Sequence, residues 1–209
     1  MSACPGLAGR VGHLPPGSHE QGTSVAELVV AVAIAACLAG TALAAMAGTR
    51  DALAAAGAAR HLAGRLYQVR ATAVARGVHV ALVFRVDSSD LCYLTVVDGN
   101  RNGVRIADIA VGIDRQVEPC EHLGDHFAGV TFGIEPGVTE PDSASPITGS
   151  PLRVGGSAML SFGPDGGATS GTVYLRSRSG HQYALRVLGT TGRSRVLRFE
   201  ASAQRWETL

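Results

Sequence analysis

Glu27 is the only charged residue in an otherwise apolar stretch near the start of the chain. Residues 28–47 carry no charge, and this length is enough to cross a bilayer as a helix. An ionisable side chain within such a helix costs roughly 2.5–3.5 kcal/mol on insertion scales, so it marks a functional position that needs a partner. The pattern indicates a membrane helix whose single carboxylate is kept for contact with another molecule.

Two simpler explanations of this stretch stay open. A secretory signal has an apolar centre of about 7–15 residues followed by small residues at a cleavage site. The sequence offers such sites at residues 42–44 and 45–47. The apolar stretch is longer than such a centre, however, and neither a secretory signal nor a plain membrane anchor explains the acid at its head.

Residues 98–103 read Asp-Gly-Asn-Arg-Asn-Gly, which places oxygen ligands at alternate positions as a calcium loop does. The candidate ligands are Asp98, Asn100, Asn102 and Asp108. The twelfth position is Ile109 rather than a bidentate acid, and turns between strands use the same residue types. The sequence therefore favours a turn, with calcium as the minor alternative and no other cofactor expected.

The cysteines and histidines of the presumed exported part could also do chemistry. A bridge between Cys92 and Cys120 would close a loop of nearly thirty residues and contribute about 3–4 kcal/mol. Whether the bridge forms depends on the distance between their Cβ atoms, so bridged and free thiols both stay open. Cys120 also belongs to a short segment with His122, Asp125 and His126. Its spacing does not match the usual zinc ligand pattern, and a solvated loop is favoured.

An arginine cluster near the end of the chain, with Arg193, Arg195 and Arg198, could bind the phosphates of DNA. The simpler interpretation is a solvated strand edge, where exposed arginine discourages pairing with another chain. The formal net charge of +1 gives no global electrostatic case for nucleic acid. No serine–histidine–aspartate or paired-carboxylate arrangement stands out, so no catalytic residue is expected and the protein is predicted not to be an enzyme.

The spacing of the apolar residues predicts the helices and strands that position these side chains. Leu62, Leu66, Val69 and Ala73 recur at helical spacing, which predicts an amphipathic continuation of the helix to Gly77. Alternating residues after that glycine predict strands, and the stretch 104–111 is the weaker candidate among them. Residues 135–156 are rich in Pro, Gly, Ser and Thr and predict a long exposed loop. The fold class is therefore α+β: a long N-terminal α-helix, transmembrane in its first half, packed on an antiparallel β-rich head of two sheets.

Two sets of motifs carry a resemblance to a known family. Gly22, followed by Thr23 and by Glu27 as the fifth residue after the glycine, resembles the class III signal of type IV pilin-like proteins. The head resembles the GspH/FimT class of minor pseudopilins at residues 98–103, 108, 112–114, 162–166, 171–175 and 191–196. This resemblance extends from Gly22 to the end of the chain.

The resemblance implies a domain organisation and a maturation pathway. It predicts a removed leader at 1–22, a transmembrane and assembly helix at 23–48, an amphipathic continuation at 49–77 and a periplasmic head at 78–209. Prepilin peptidase would cleave after Gly22 and the new terminus at Thr23 would be methylated. Glu27 would offset the terminal amine of a neighbouring subunit. The protein would lie in the inner membrane as a single-pass protein.

The function that the resemblance implies is structural. We expect a minor pseudopilin of a type II secretion system, at or near the tip of the periplasmic pseudopilus. Its partners would be other pseudopilins, the prepilin peptidase and the inner-membrane secretion platform. The alternatives are a minor pilin of a type IV pilus with an arginine-rich DNA-contacting turn, and an exported β-domain behind an ordinary signal peptide.

Overall fold

The computed structural model of the chain describes residues 24–88, 90–143 and 145–209. Gly22, Thr23 and the predicted leader lie outside these residues. The chain divides into two units, residues 1–43 and 44–209, which are described separately. Helix α1 spans Val25–Arg76 and therefore contributes to both units. In the part of the chain that the structure describes, no helix combines the length and the mean hydropathy that a membrane crossing requires.

Helix α1 ends where its sequence predicts. Gly77 follows the last helical residue and has a φ of 64°, a left-handed conformation that glycine adopts without steric cost. Leu62, Leu66, Val69 and Ala73 are all buried, which confirms the predicted apolar stripe. The stripe extends toward the N-terminus through Ala55, Ala58 and Ala59.

The second unit contains two antiparallel sheets. The first has the strand order β3-β2-β1-β7, with β4 also paired to β2, and the second has the order β11-β10-β9-β8-β5, with β6 also paired to β8. The strands of the first sheet are β1 (Val80–Asp87), β2 (Asp90–Val97), β3 (Arg115–Gln116), β4 (Glu121–His122) and β7 (Met159–Phe162). Those of the second are β5 (Val130–Phe132), β6 (Leu152–Arg153), β8 (Gly171–Ser177), β9 (Gln182–Leu188), β10 (Arg193–Glu200) and β11 (Arg205–Thr208). Two short helices, α2 (Ile106–Ala110) and α3 (Leu123–His126), lie between strands.

One core joins the helix to both sheets. Leu62 and Leu66 pack in a cluster that includes Leu82 and Leu160 from the first sheet and Leu185 from the second. Alternate residues of each strand point to opposite faces, so the same strands carry a second apolar face. The prediction of an α+β fold with two antiparallel sheets is confirmed.

The weak strand predicted at 104–111 is wrong, because residues Ile106–Ala110 form α2. Val104 and Ile109 pack against the face of the first sheet that points away from the main core. Asp114 accepts hydrogen bonds from the backbone N–H groups of Gly99 and Arg105 and so folds this segment back on itself. The segment covers a sheet face instead of extending the sheet.

The segment 135–156 is not the exposed loop that its composition predicts. Val138, Ile147 and Val154 are buried, and β6 inside the segment pairs with β8. Val138 and Ile147 pack with Tyr174 on the second face of the second sheet. The ion pairs Glu135–Arg176 and Asp142–Arg186 connect the segment to β8 and β9, and the pair Glu140–Arg153 joins two parts of the segment itself.

Candidate functional site

Residues 25–41 of α1 expose apolar side chains on all sides. Seven large apolar residues in this range are each at least 56% exposed, namely Val25, Leu28, Val29, Val30, Val32, Ile34 and Leu38. Their positions are distributed around the whole helix circumference rather than along one stripe. A helix that is apolar all round is ordinarily buried in protein or lipid, so this segment is a candidate contact surface.

Glu27 lies in the first turn of this helix and is exposed. A carboxylate in the first turn interacts favourably with the helix dipole, which gives the acid a local reason to be tolerated. Among the described residues Glu27 has no ion-pair partner. The amine that it is predicted to offset belongs to Thr23 of another subunit, and Thr23 lies outside the described residues.

A second candidate site lies where the continuation of α1 meets the segment around β4. Cys92 on β2 and Cys120 are joined by a disulfide with a Cα–Cα distance of 5.6 Å. Cys92 is fully buried. The bridge fixes the segment that leads into β4 against the first sheet, next to the polar side chains that face α1.

Arg65 of α1 binds this segment directly. Its Nη1 donates to Glu118 Oε1 at 3.2 Å, and its Nη2 makes a second, closer contact with the other oxygen of Glu118. Thr95 Oγ1 donates to Glu118 Oε2 at 2.7 Å. Burial alone would raise the pKa of Glu118, but the hydrogen bonds from Arg65 and Thr95 outweigh it and lower that pKa. The two charges are therefore held as an ion pair.

Two histidines and a tyrosine surround a second carboxylate of the same segment. Tyr93 Oη donates to Glu121 Oε2 at 3.1 Å, and His61 Nε2 lies 3.0 Å from the same hydroxyl. His61 Nε2 and His126 Nε2 are each 3.9 Å from Glu121 Oε2. Burial lowers the pKa of His61 despite the nearby carboxylate, and burial together with Glu121 raises the pKa of Tyr93.

This network was missed from the sequence because its members are far apart along the chain. Arg65 and Glu118 are 53 residues apart, and His61 and Tyr93 are 32 residues apart. The available signal was that Arg65 and His61 lie beside the apolar stripe of a helix that must pack on the head. That signal indicates which side chains line the contact but not what they meet.

The predicted calcium ligands lie together in one turn. The Asp98 carboxylate accepts hydrogen bonds from the backbone N–H groups of Asn100, Arg101 and Gly103. Asp108 Oδ2 accepts from the side-chain amides of Asn100 and Asn102 at 3.3 and 3.0 Å. These oxygens face N–H donors, an arrangement that fits a turn closed by hydrogen bonds better than a cation site. Calcium binding stays a prediction.

The residues of the zinc alternative do not converge. Cys120 is in the disulfide, and His122 faces Asp87 and Asp90 at 3.5 and 3.9 Å. His126 faces Glu121 instead. The two histidines are therefore close in sequence, but their side chains contact different acidic residues.

The arginine cluster is partly neutralised. Arg198 lies 3.1 Å from Glu200 and 3.8 Å from Glu207. Arg193 and Arg195 are exposed and have no carboxylate partner among the described residues. Two unpaired arginines on β10 make a smaller basic surface than the sequence suggested, and DNA contact stays a prediction.

The structure combines exposed apolar side chains at residues 25–41 of α1 with a later part of the helix that packs on two antiparallel sheets. The family model of the type II transport protein GspH matches residues 58–192, more than half of the chain. The chain belongs to this family, which confirms the resemblance seen in the sequence. Neither the search of curated proteins nor that of solved structures found a match.

Proposed function

We propose that this member of the GspH family is a minor pseudopilin of a type II secretion system, placed at or near the tip of the pseudopilus. Family membership supports a pseudopilin-like role in secretion. The proposed role is structural rather than catalytic. Prepilin peptidase would mature the chain at Gly22 and methylate Thr23, and the inner-membrane platform would receive the product.

The observation that carries this proposal is the uncovered apolar first half of α1 with its single carboxylate. Side chains such as Leu28, Val29 and Ile34 are more than half exposed, and exposed apolar area of this kind favours association. Helices of sister pseudopilins would cover these side chains within the filament, and the lipid of the inner membrane would cover them before assembly. The head would then lie in the periplasm.

Glu27 would be the residue that selects correct assembly. A carboxylate that is costly alone in an apolar environment becomes tolerable when an opposite charge pairs with it. The predicted partner is the terminal amine at Thr23 of a neighbouring subunit. An unpaired acid would then disfavour helices that bundle in the wrong axial register.

The first test replaces the acid. We expect Glu27→Leu to leave the head folded but to abolish incorporation, because the neighbouring amine loses its counter-charge. The free, exposed thiol of Cys37 on the same helix allows incorporation to be measured by bismaleimide cross-linking to sister pseudopilins carrying an engineered cysteine. Val30→Leu, an apolar change one turn away, is the matched control and should cross-link normally. Normal cross-linking of Glu27→Leu would refute the proposed role of the acid.

A second test separates this function from an exported β-domain with an ordinary signal peptide. Mass spectrometry of the purified protein should give a chain that begins at Thr23 and carries one N-terminal methyl group. Resistance of the protein to carbonate extraction would support insertion in the inner membrane. A chain that begins near Gly48 would lack Glu27 and would exclude filament assembly.

A further inference from the structure

The second unit contains two groups of potential metal ligands, and among the described residues only one of them has all its ligand atoms within 4.8 Å of one another. The tighter group within the described residues is Asp87, Cys92 and His122, whose ligand atoms lie within 4.8 Å of one another. The sulfur of Cys92 is bonded to Cys120, so this group offers only two ligands. The other group is more open but keeps all its donors: His61 on α1, Glu121 on β4 and His126 on α3.

We propose that His61, Glu121 and His126 bind one transition-metal ion of the zinc type. Both imidazole Nε2 atoms lie 3.9 Å from the same carboxylate oxygen, Glu121 Oε2. Ligand atoms that share one tetrahedral zinc ion at the usual bond lengths are about 3.4 Å apart. Each nitrogen therefore has to approach the oxygen by roughly half an ångström. The two nitrogens lie more than 4.8 Å apart, so they also have to approach each other by more than about 1.4 Å, which requires rotation of the exposed His126 side chain. The two rings already lie next to each other, with centroids 5.5 Å apart.

The three residues differ in how freely they can move. His126 is half-exposed at 51%, so its imidazole can turn toward the carboxylate without disturbing the core. His61 and Glu121 are 32% and 25% exposed, and both contact the Tyr93 hydroxyl. When His61 Nε2 binds the ion, the Tyr93 hydroxyl remains a donor to Glu121 and orients that carboxylate.

The surrounding charges favour a cation at this position. Arg65 is a positive group beside the site, but its Nη2 approaches the other oxygen of Glu121, Oε1, at 3.4 Å and is paired with Glu118. Asp125 precedes His126 and adds another negative charge. Two imidazoles and one carboxylate form a ligand set that suits zinc, copper or nickel better than calcium or magnesium. The fourth position would be left to water or to a side chain from another protein.

The site is independent of the proposed assembly role, because none of its residues lies in the first half of α1. A metal held between α1, β4 and α3 would connect the helix to the head beside the disulfide. Since ligands of the ion come from three elements, binding should stabilise the folded state.

The test is a zinc(II) titration of the full-length protein by isothermal calorimetry, with the disulfide intact and no reducing agent. We expect one ion per chain and a higher melting temperature with zinc. Affinity should fall at least about tenfold in His126→Ala and in His61→Ala, since each removes a direct ligand. His122→Ala is the matched control and should bind zinc as the unmodified protein does.

Two further measurements keep the outcome decisive. Circular dichroism without metal should show the same fold for His126→Ala and the unmodified protein, so that lost binding is not lost structure. Cobalt(II) in place of zinc should give the visible bands of nitrogen and oxygen ligands without a thiolate charge-transfer band. The proposal is overturned if zinc does not bind, if binding survives both substitutions, if it is lost in His122→Ala, or if the cobalt spectrum shows thiolate.

Discussion

The disulfide gives a stability prediction whose size follows from the chain itself. Cys92 and Cys120 are separated by 28 residues. Closing a loop of this length in the unfolded chain removes about 12 cal/mol/K of entropy, which is about 3.6 kcal/mol at 25 °C. Replacing both cysteines by alanine, or reducing the bridge, should lower the free energy of unfolding by about this amount.

The measurement is urea unfolding of the full-length protein followed by circular dichroism, with and without a reducing agent. Reduction should shift the transition of the unmodified protein but not that of the Cys92→Ala/Cys120→Ala double variant. Cys37→Ser is the matched control, because Cys37 is exposed and unbridged, and its transition should move with reduction as the unmodified protein's does. A loss below about 1 kcal/mol would refute the entropy argument and would indicate that the segment before β4 is already held in the unfolded chain.

Three other predictions concern the packing of the second unit. Leu62→Ala should cost about 2–5 kcal/mol in urea unfolding because the side chain is fully buried, whereas Leu53→Ala, 67% exposed, should cost almost nothing. Gly99→Ala should cost about 1–3 kcal/mol because a Cβ there would collide with a facing carbonyl oxygen, whereas Gly124→Ala meets only open space, and equal melting temperatures for the two would contradict this. Hydrogen bonds from the β8–β9 turn lower the pKa of Asp51 below its usual 3.8, so Asp51 stabilises the fold at neutral pH and this contribution is lost as pH falls through the lowered pKa. The gap in unfolding free energy between the unmodified protein and Asp51→Asn should therefore close in acid, and a gap that persists there would contradict the assignment.

Helices and strands whose buried residues recur at a regular spacing could be predicted from the sequence. The buried stripe of α1 repeats every three or four residues, and its end is marked by a glycine whose left-handed φ other residues disfavour. Strands after Gly77 were predicted for a similar reason, because the residues there alternate along the chain, and β1 and β2 form in that stretch. In both cases the residues that the local pattern predicts to be buried are the ones that the packing buries.

Elements whose conformation is set by distant contacts could not be predicted. Residues 135–156 have the composition of a loop, yet Val138 and Ile147 are buried because a sheet face from β8 and β9 needs a cover. The composition of the segment predicts its turns. The burial of Val138 and Ile147, however, depends on contact with Tyr174, which lies more than twenty residues later in the chain. The same reason hid the network of His61, Arg65 and Glu121 from sequence reasoning.

The two halves of α1 satisfy opposite physical requirements. In the second half the apolar residues are confined to one stripe, and polar residues beside it, such as Arg65 and His61, bind the head. At residues 25–41 the apolar residues surround the helix, so no single face of a globular head could bury them. Covering that surface therefore requires several neighbours, as a bundle of helices from sister subunits or a lipid phase would provide. In the proposed filament, a lone carboxylate on such a surface would favour the arrangement in which a neighbour supplies a positive charge. We therefore expect the charge at Glu27, rather than the apolar area around it, to decide whether the subunit enters the filament.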